Sequence, residues 1–267
     1  MLKFFPLALL FAAPSMAMAQ SATSSGDLLA EEVDDRWDLG LALSVNDSPY
    51  AGEDVRARPF PLIGYEGERL FWRGLSGGVH ALRGDVFNLD VIVSGRFDGF
   101  DIDDLGRREL AANGLDADLL DDRDDGFDVG LAASWKGRAG EFKLRALADA
   151  SDTHDGYELA ADYAYPVHLG RTTLVPSIGA RWLSKDLANY YYGTLDSEVA
   201  RGVTLYRPGS AVIPQVGVAL LRPLGEKWRL FGSIDYKLLP DEIKDSPLID
   251  PDVSGEAGLK IGISRGF

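Results

Sequence analysis

Residues alternate in polarity along Trp37–Val45, WDLGLALSV. Trp37, Leu39, Leu41, Leu43 and Val45 share one side, and Asp38, Gly40, Ala42 and Ser44 the other. A period of two predicts a strand with one apolar face. The rhythm returns at Phe87–Ser94, Phe127–Lys136, Phe142–Ala146, Tyr157–Tyr163, Leu174–Trp182, Trp228–Leu238 and Leu259–Phe267. A soluble β-sandwich also alternates. Three features point instead to a barrel in a membrane. The segments run to about ten residues, the length of a tilted membrane-crossing strand. The second face carries charges of both signs with Gly and Ser, as a polar lumen does. Aromatic residues gather at strand ends: Trp37, Phe87, Trp135, Phe142, Trp228 and Phe267 at one rim, Tyr157, Trp182 and Tyr236 toward the other.

Turn lengths orient this barrel. Short connections fall at Glu66–Glu68, Arg83–Asp85, Lys136–Arg138, His168–Gly170 and Pro223–Gly225, and long ones at 46–56, 98–125, 183–209 and 239–253. Outer-membrane barrels keep short turns in the periplasm and long loops outside. The expected fold is therefore all-β: an antiparallel up-and-down barrel over 36–267, of about twelve strands if RLFWRGLSGGVHAL breaks into two near Gly74.

The amino terminus fits an exported chain. MLKFFPLALLFAAPSMAMAQ has Lys3, then a short apolar run, then Ala17-Met18-Ala19. This predicts a signal peptide over 1–19 and a periplasmic segment over 20–35, with the outer membrane of a Gram-negative cell as destination. There is no cysteine among the 267 residues, which excludes disulfides, thiol chemistry and Cys-ligated metals. The net charge of −15, from 27 Lys and Arg against 42 Asp and Glu, argues against nucleic acid as a partner.

DSPYAGEDVRARPFPLIGYE, followed by RLFW, carries Ser48, Pro49, Gly52, Pro59, Pro61, Tyr65 and Phe71. DASDTHDGYE supplies Asp149, Ser151, His154 and Gly156; NYYYGT and LYRPGSA supply Tyr191, Tyr192, Gly193, Tyr206, Pro208 and Gly209; DSPLI supplies Asp245, Ser246 and Pro247. This ordered set resembles the MipA/OmpV family of outer-membrane proteins. The resemblance implies a scaffold linking a lytic transglycosylase, a murein hydrolase, to a bifunctional penicillin-binding synthase. Some members are described instead as porin-like or adhesive. It brings no catalytic residues and no cofactor. The ending LKIGISRGF also resembles the signal read by the barrel assembly machinery, through Ile261, Ile263 and Phe267; Arg265 departs from it. The surroundings would be outer-membrane lipids and lipopolysaccharide.

Candidate chemistry is sparse. His154 lies beside Ser151, Asp152 and Asp155, but neighbours in an extended chain point in different directions, so a Ser-His-Asp triad is not expected there. The acidic stretch 98–128 approaches calcium-loop spacing at Asp121, Arg123 and Asp125, yet Arg123 stands where a ligand belongs and Ala132 where Glu is required. It reads as a solvated acidic loop, with a loose divalent site near the headgroups as the alternative. Facing the lumen, Lys143, Arg145, Arg181, Arg229 and Lys237 could pair with Asp90, Asp128, Asp149, Asp162 and Asp235 as structural glue, or line a narrow pore; a mostly filled barrel is favoured. Pro59 and Pro61 predict a bulged or poorly paired second strand.

Overall fold

The computed structural model describes residues 36–53 and 55–267. The expected signal peptide, 1–19, and periplasmic segment, 20–35, lie outside the described residues. Thirteen strand segments follow in order: β1 (Trp37–Asp47), β2 (Val55–Glu66), β3 (Leu70–Arg73), β4 (Ser76–Arg83), β5 (Phe87–Arg96), β6 (Gly126–Gly137), β7 (Gly140–Asp149), β8 (Tyr157–Ala164), β9 (Val167–Leu169), β10 (Thr172–Leu183), β11 (Ala211–Pro223), β12 (Trp228–Leu238) and β13 (Gly255–Gly266). Each pairs antiparallel with its chain neighbour, except that β9 merely prolongs the line of β8 along β10. β13 returns to β1 from Asp38↔Gly266 to Asn46↔Gly258, which closes a 12-stranded barrel. The terminal Phe267 donates its N–H to the Trp37 carbonyl at 2.9 Å.

Sequence alternation maps onto the wall as expected. Leu41, Ile178 and Ile234 are at least 60% exposed on the outer face, while Ala42, Arg181 and Ser233, on the opposite faces of the same strands, are buried inside. Hydrocarbon offers backbone groups no partners, so the ladder must close on itself and the outer side chains must be apolar. Rings mark the periplasmic rim: Trp37 packs on Tyr65 at 4.8 Å, Phe87 on Trp135 at 5.0 Å and Trp135 on Phe142 at 6.0 Å between centroids. Tyr157 and Trp182 pair at 5.3 Å toward the other rim. Ile261, Ile263 and Phe267 all point outward, and Arg265, the departure from the assembly pattern, lies over the Phe267 ring at 4.8 Å.

RLFWRGLSGGVHAL does split, into β3 and β4 around Gly74, whose φ of +63° is the left-handed conformation glycine permits. Pro59 and Pro61 produce no bulge. β2 keeps unbroken register with β1 from Trp37↔Tyr65 to Asp47↔Val55. Toward β3, however, it pairs only at Gly64, Tyr65 and Glu66. Gly74 donates to the Ile63 carbonyl on that side. By strand alternation the backbone groups of 57, 59 and 61 face the same way. Both prolines thus sit where their missing N–H removes no ladder bond.

Inside, Ala42, Phe60, Ala164, Val175, Ala219, Leu221 and Phe231 form one apolar cluster across strands β1, β2, β8, β10, β11 and β12. Gly262 lies beneath it, and a Cβ there would meet the Phe231 ring at 2.2 Å. We expect Gly262→Val to lower barrel stability by about 1–3 kcal/mol through overpacking, and Phe231→Ala in the same chain to restore much of it. Heat-modifiable gel mobility and thermal circular dichroism in detergent measure both.

Candidate functional site

The outer mouth is closed by the barrel's own loops. Residues 97–125 hold short turns at Ile102–Asp104 and Ala117–Leu119 flanking helix α1 (Arg107–Ala112); 184–210 hold α2 (Lys185–Tyr192) and α3 (Asp196–Ala200); 239–254 hold α4 (Asp241–Lys244). Their apolar side chains pack together. Tyr50, Phe100, Leu110, Leu187, Tyr191 and Ile243 are among the members of a single buried cluster. The acidic stretch 98–125 is therefore not the purely solvated loop its charge suggested. Ile102, Leu105, Leu110, Leu115 and Leu120 turn inward and Asp103, Asp104, Glu109, Asp116 and Asp118 outward, an amphipathic pattern spread over turns too short to give a helical period.

The sequence-selected residues gather largely in this cap, at the crossings between loops. Ser48 donates to Glu53 Oε2 at 2.7 Å and accepts from Tyr50 N–H; Pro49 accepts at its carbonyl from Asp250 N–H at 2.9 Å. Gly52, at φ +75°, passes so near Gly106 that a Cβ would lie 2.4 Å from its Cα. Asp149 Oδ1 accepts from the Ser151 N–H and hydroxyl, and Oδ2 from the N–H groups of His154 and Asp155. Gly156 leaves room for α2, since a Cβ would meet Leu187 N at 2.5 Å. Tyr50 donates to the Tyr191 carbonyl, and Tyr191 to that of Asp124, both at 3.3 Å. Burial pushes both phenols above their ordinary range, so they act as neutral donors. Gly193 fits against the Asn189 and Tyr206 carbonyls; Pro208 precedes Gly209, whose N–H reaches Asn189 Oδ1 at 3.2 Å. Ser246 Oγ accepts from Leu248 N–H at 3.2 Å, and the Pro247 carbonyl accepts from Asn113 at 3.0 Å. Pro59, Pro61 and Tyr65 lie elsewhere, in the wall.

One guanidinium ties the cap together. Arg123, fully buried, donates to both oxygens of the equally buried Glu198 at 2.8 and 3.0 Å and to the carbonyls of Tyr190 and Gly193. The residue that spoils the calcium-loop pattern is thus the clamp between two loops. Asp125, half-buried near Asp98, is raised to about 6, burial being the main cause.

Beneath the cap lies a layer of charge. Arg96 Nη2 sits 2.6 Å from Asp128 and 3.2 Å from Glu158, and its Nη1 reaches Asp98 at 2.9 Å; Arg181 meets Glu158 at 2.6 Å. Asp128 also accepts from His154 Nε2 at 3.2 Å, while Gly156 N–H donates to Nδ1. These bonds fix the tautomer and occupy both ring nitrogens. Ser151 bonds Asp149 rather than His154, so no triad forms. Asp128, Asp149 and His154 do bring ligand-type atoms within 4.8 Å, but those atoms already hold Arg96, the turn and one another. Of the pairs anticipated from sequence, Arg145–Asp162 forms, at 3.8 Å. Lys143 lies 3.5 Å from Glu141, Arg229 3.4 Å from Asp38 and Lys237 2.9 Å from Glu256. Toward the periplasm His80 bridges Asp90 and Glu66 at 2.7 and 3.0 Å. The cavity beside it measures about 60 Å³, room for a few waters.

The family model for the MltA-interacting protein MipA matches residues 39–267. The chain belongs to the MipA family. It is 31% identical over 90% of both chains to the putative outer membrane protein YiaT of Escherichia coli K12. It is 28% identical to the MltA-interacting protein of the same organism, over 88% of this chain and 91% of that one. Among solved structures the NanC porin gives a TM-score of 0.48 at 10% identity, over 86% of this chain and 100% of that one. Relatives named as outer membrane proteins and the barrel itself put this MipA-family chain in the outer membrane.

Two outcomes follow. Arg123→Met strands a buried Glu198, and we expect the cap to lose about 3–5 kcal/mol. Proteases should then nick 97–125 and 184–210 while the barrel stays folded, and Glu198→Met added to it should restore protection. Asp125 is raised when folded, so its contribution is present at low pH and lost as pH climbs from its unfolded value toward about 6. Asp125→Asn should raise the melting temperature at pH 7.5 and flatten its change between about pH 4 and 6.

Proposed function

We propose that this chain is a non-enzymatic, non-conducting outer-membrane scaffold whose periplasmic face holds a murein synthase and a lytic transglycosylase near each other. The closed lumen carries this reading. A folded cap, a layer of buried ion pairs and an apolar cluster follow one another from the outer mouth inward. Such a filling stiffens a barrel and suits a docking platform better than a conduit. The printed names of the family model and of one relative, MltA-interacting protein, supply the class of partner. The exposed periplasmic turns at 67–69, 84–86, 138–139 and 224–227 are the surface such partners would reach from the cell wall side.

Folded protein on beads, incubated with an envelope extract, should retain a lytic transglycosylase and a bifunctional synthase. Loss of both while the barrel remains heat-modifiable would remove the scaffold reading. The same preparation in a planar bilayer should give no reproducible unitary current. Stable single-channel steps would instead favour a small-solute channel, and binding of intact cells or host surfaces an adhesin.

A further inference from the structure

The wall is incomplete on one side of β2. Above Ile63 its edge toward β3 meets no strand among the described residues, because the β3–β4 hairpin turns back at Gly74 and Leu75. The unpaired stretch 55–62 amounts to roughly 25 Å of strand. Across the break, Gly95 N–H donates to the Leu75 carbonyl and β5 ends one residue later, at Arg96. The break therefore has a floor at the hairpin turn and two sides, β2 and the top of β5. Arg56 closes it above by donating to the Gly99 carbonyl at 3.3 Å.

Phe97 stands in this opening. Its ring folds over Gly95, where a Cβ would meet it at 2.5 Å, and it also lines a cavity of about 40 Å³ under the cap with Arg56, Asp98 and Arg181. Outside are the apolar faces of Val55, Ala57, Pro59, Pro61 and Ile63. Inside, on the same face as Phe60, is Arg58, whose buried Nη1 has no hydrogen-bond partner among the described residues; Asp125 and Glu53 act on it only through their charge. A guest would thus meet hydrocarbon at the entrance and a cation beyond it. An added strand is disfavoured, since Pro59 and Pro61 offer it no donors.

We propose that the break between β2 and β5 is a lateral port, stoppered by Phe97, that admits the acyl chain of an anionic outer-leaflet lipid and seats its headgroup at Arg58. The proposal is independent of the scaffold reading: it concerns the outer half of the wall, and periplasmic partners could be lost without altering it. It also gives the Pro-x-Pro stretch a physical role. Prolines lower the number of unpaired donors on an edge that must stay open beside hydrocarbon.

The test is photolabelling of the reconstituted full barrel with a diazirine-bearing dodecanoate, mapped by mass spectrometry. Labels should concentrate on 57–61, Leu75 and Phe97. Dodecyl phosphate should compete, and dodecyl maltoside should not. Arg58→Gln should weaken labelling about tenfold, the worth of one charge-assisted contact. Labelling spread evenly around the barrel, or equal in Arg58→Gln, overturns the port. Competition by inorganic phosphate alone overturns the lipid as its guest. Should Arg58→Gln fail to fold, Phe97→Trp serves instead. Its emission should be quenched by 11-bromoundecanoate more than by a neutral brominated detergent, and equal quenching overturns the proposal.

Discussion

A backbone amide left in hydrocarbon without a partner costs several kcal/mol, and no solvent is present to offset it. That constraint organises this molecule. It forces β13 back onto β1 and makes the outer face apolar. It also sends the polar half of every strand inward, into a lumen too small to hydrate freely. Charges placed there are favoured where they find one another. Arg96, Asp128, Glu158 and Arg181 do so within 2.6–3.2 Å, and His154 joins them from the turn above. The charge layer is thus a consequence of closing the wall, and the cap rests on it.

Cap and charge layer are coupled through shared residues. Asp149 ends β7 and also organises the turn that presents His154. Glu158 sits near the top of β8, and Arg96 at the last position of β5, where the chain leaves the wall for the cap. A buried pair of this kind adds little net stability over an apolar core, but removing one partner is expensive. The arrangement therefore favours one geometry of the loops rather than many. This is useful to a protein whose outer mouth is shut and whose remaining exposed features are its rims.

The wall was legible in the sequence because strand alternation in a membrane is nearly obligatory. Trp37–Val45 alone shows the inner and outer faces, and turn lengths gave the orientation. The split at Gly74 could be inferred from two short runs around a glycine. The cap was not legible. Its helices span as few as four residues, and Leu110 or Ile243 reads as an isolated apolar residue until loops distant in the chain meet. Partner choice in the lumen was missed for a related reason. Arg181 was visible as an inward cation, but its closest described partner, Glu158, was not among the acids anticipated for it. Glu158 alternates between Tyr157 and Leu159, so the period-two signal did mark it as inward. What the sequence lacked was the register that says which inward residues share a level.

The family-type motifs acquire separate physical meanings once placed. Ser48-Pro49 and Ser246-Pro247 belong to two loops that pair through Tyr50 and Ile249. Gly52 and Gly156 are points where two backbones, or a backbone and a helix, approach more closely than any Cβ allows. Pro59 and Pro61 do neither. They lie on the outer wall, packed in no core, and their common property is the absence of a donor on a strand edge that meets no strand among the described residues. A stretch that weakens nothing in its own ladder and removes donors only toward a break is best explained by the break. In the proposed port, the short β3–β4 hairpin and the paired prolines are two halves of the same device.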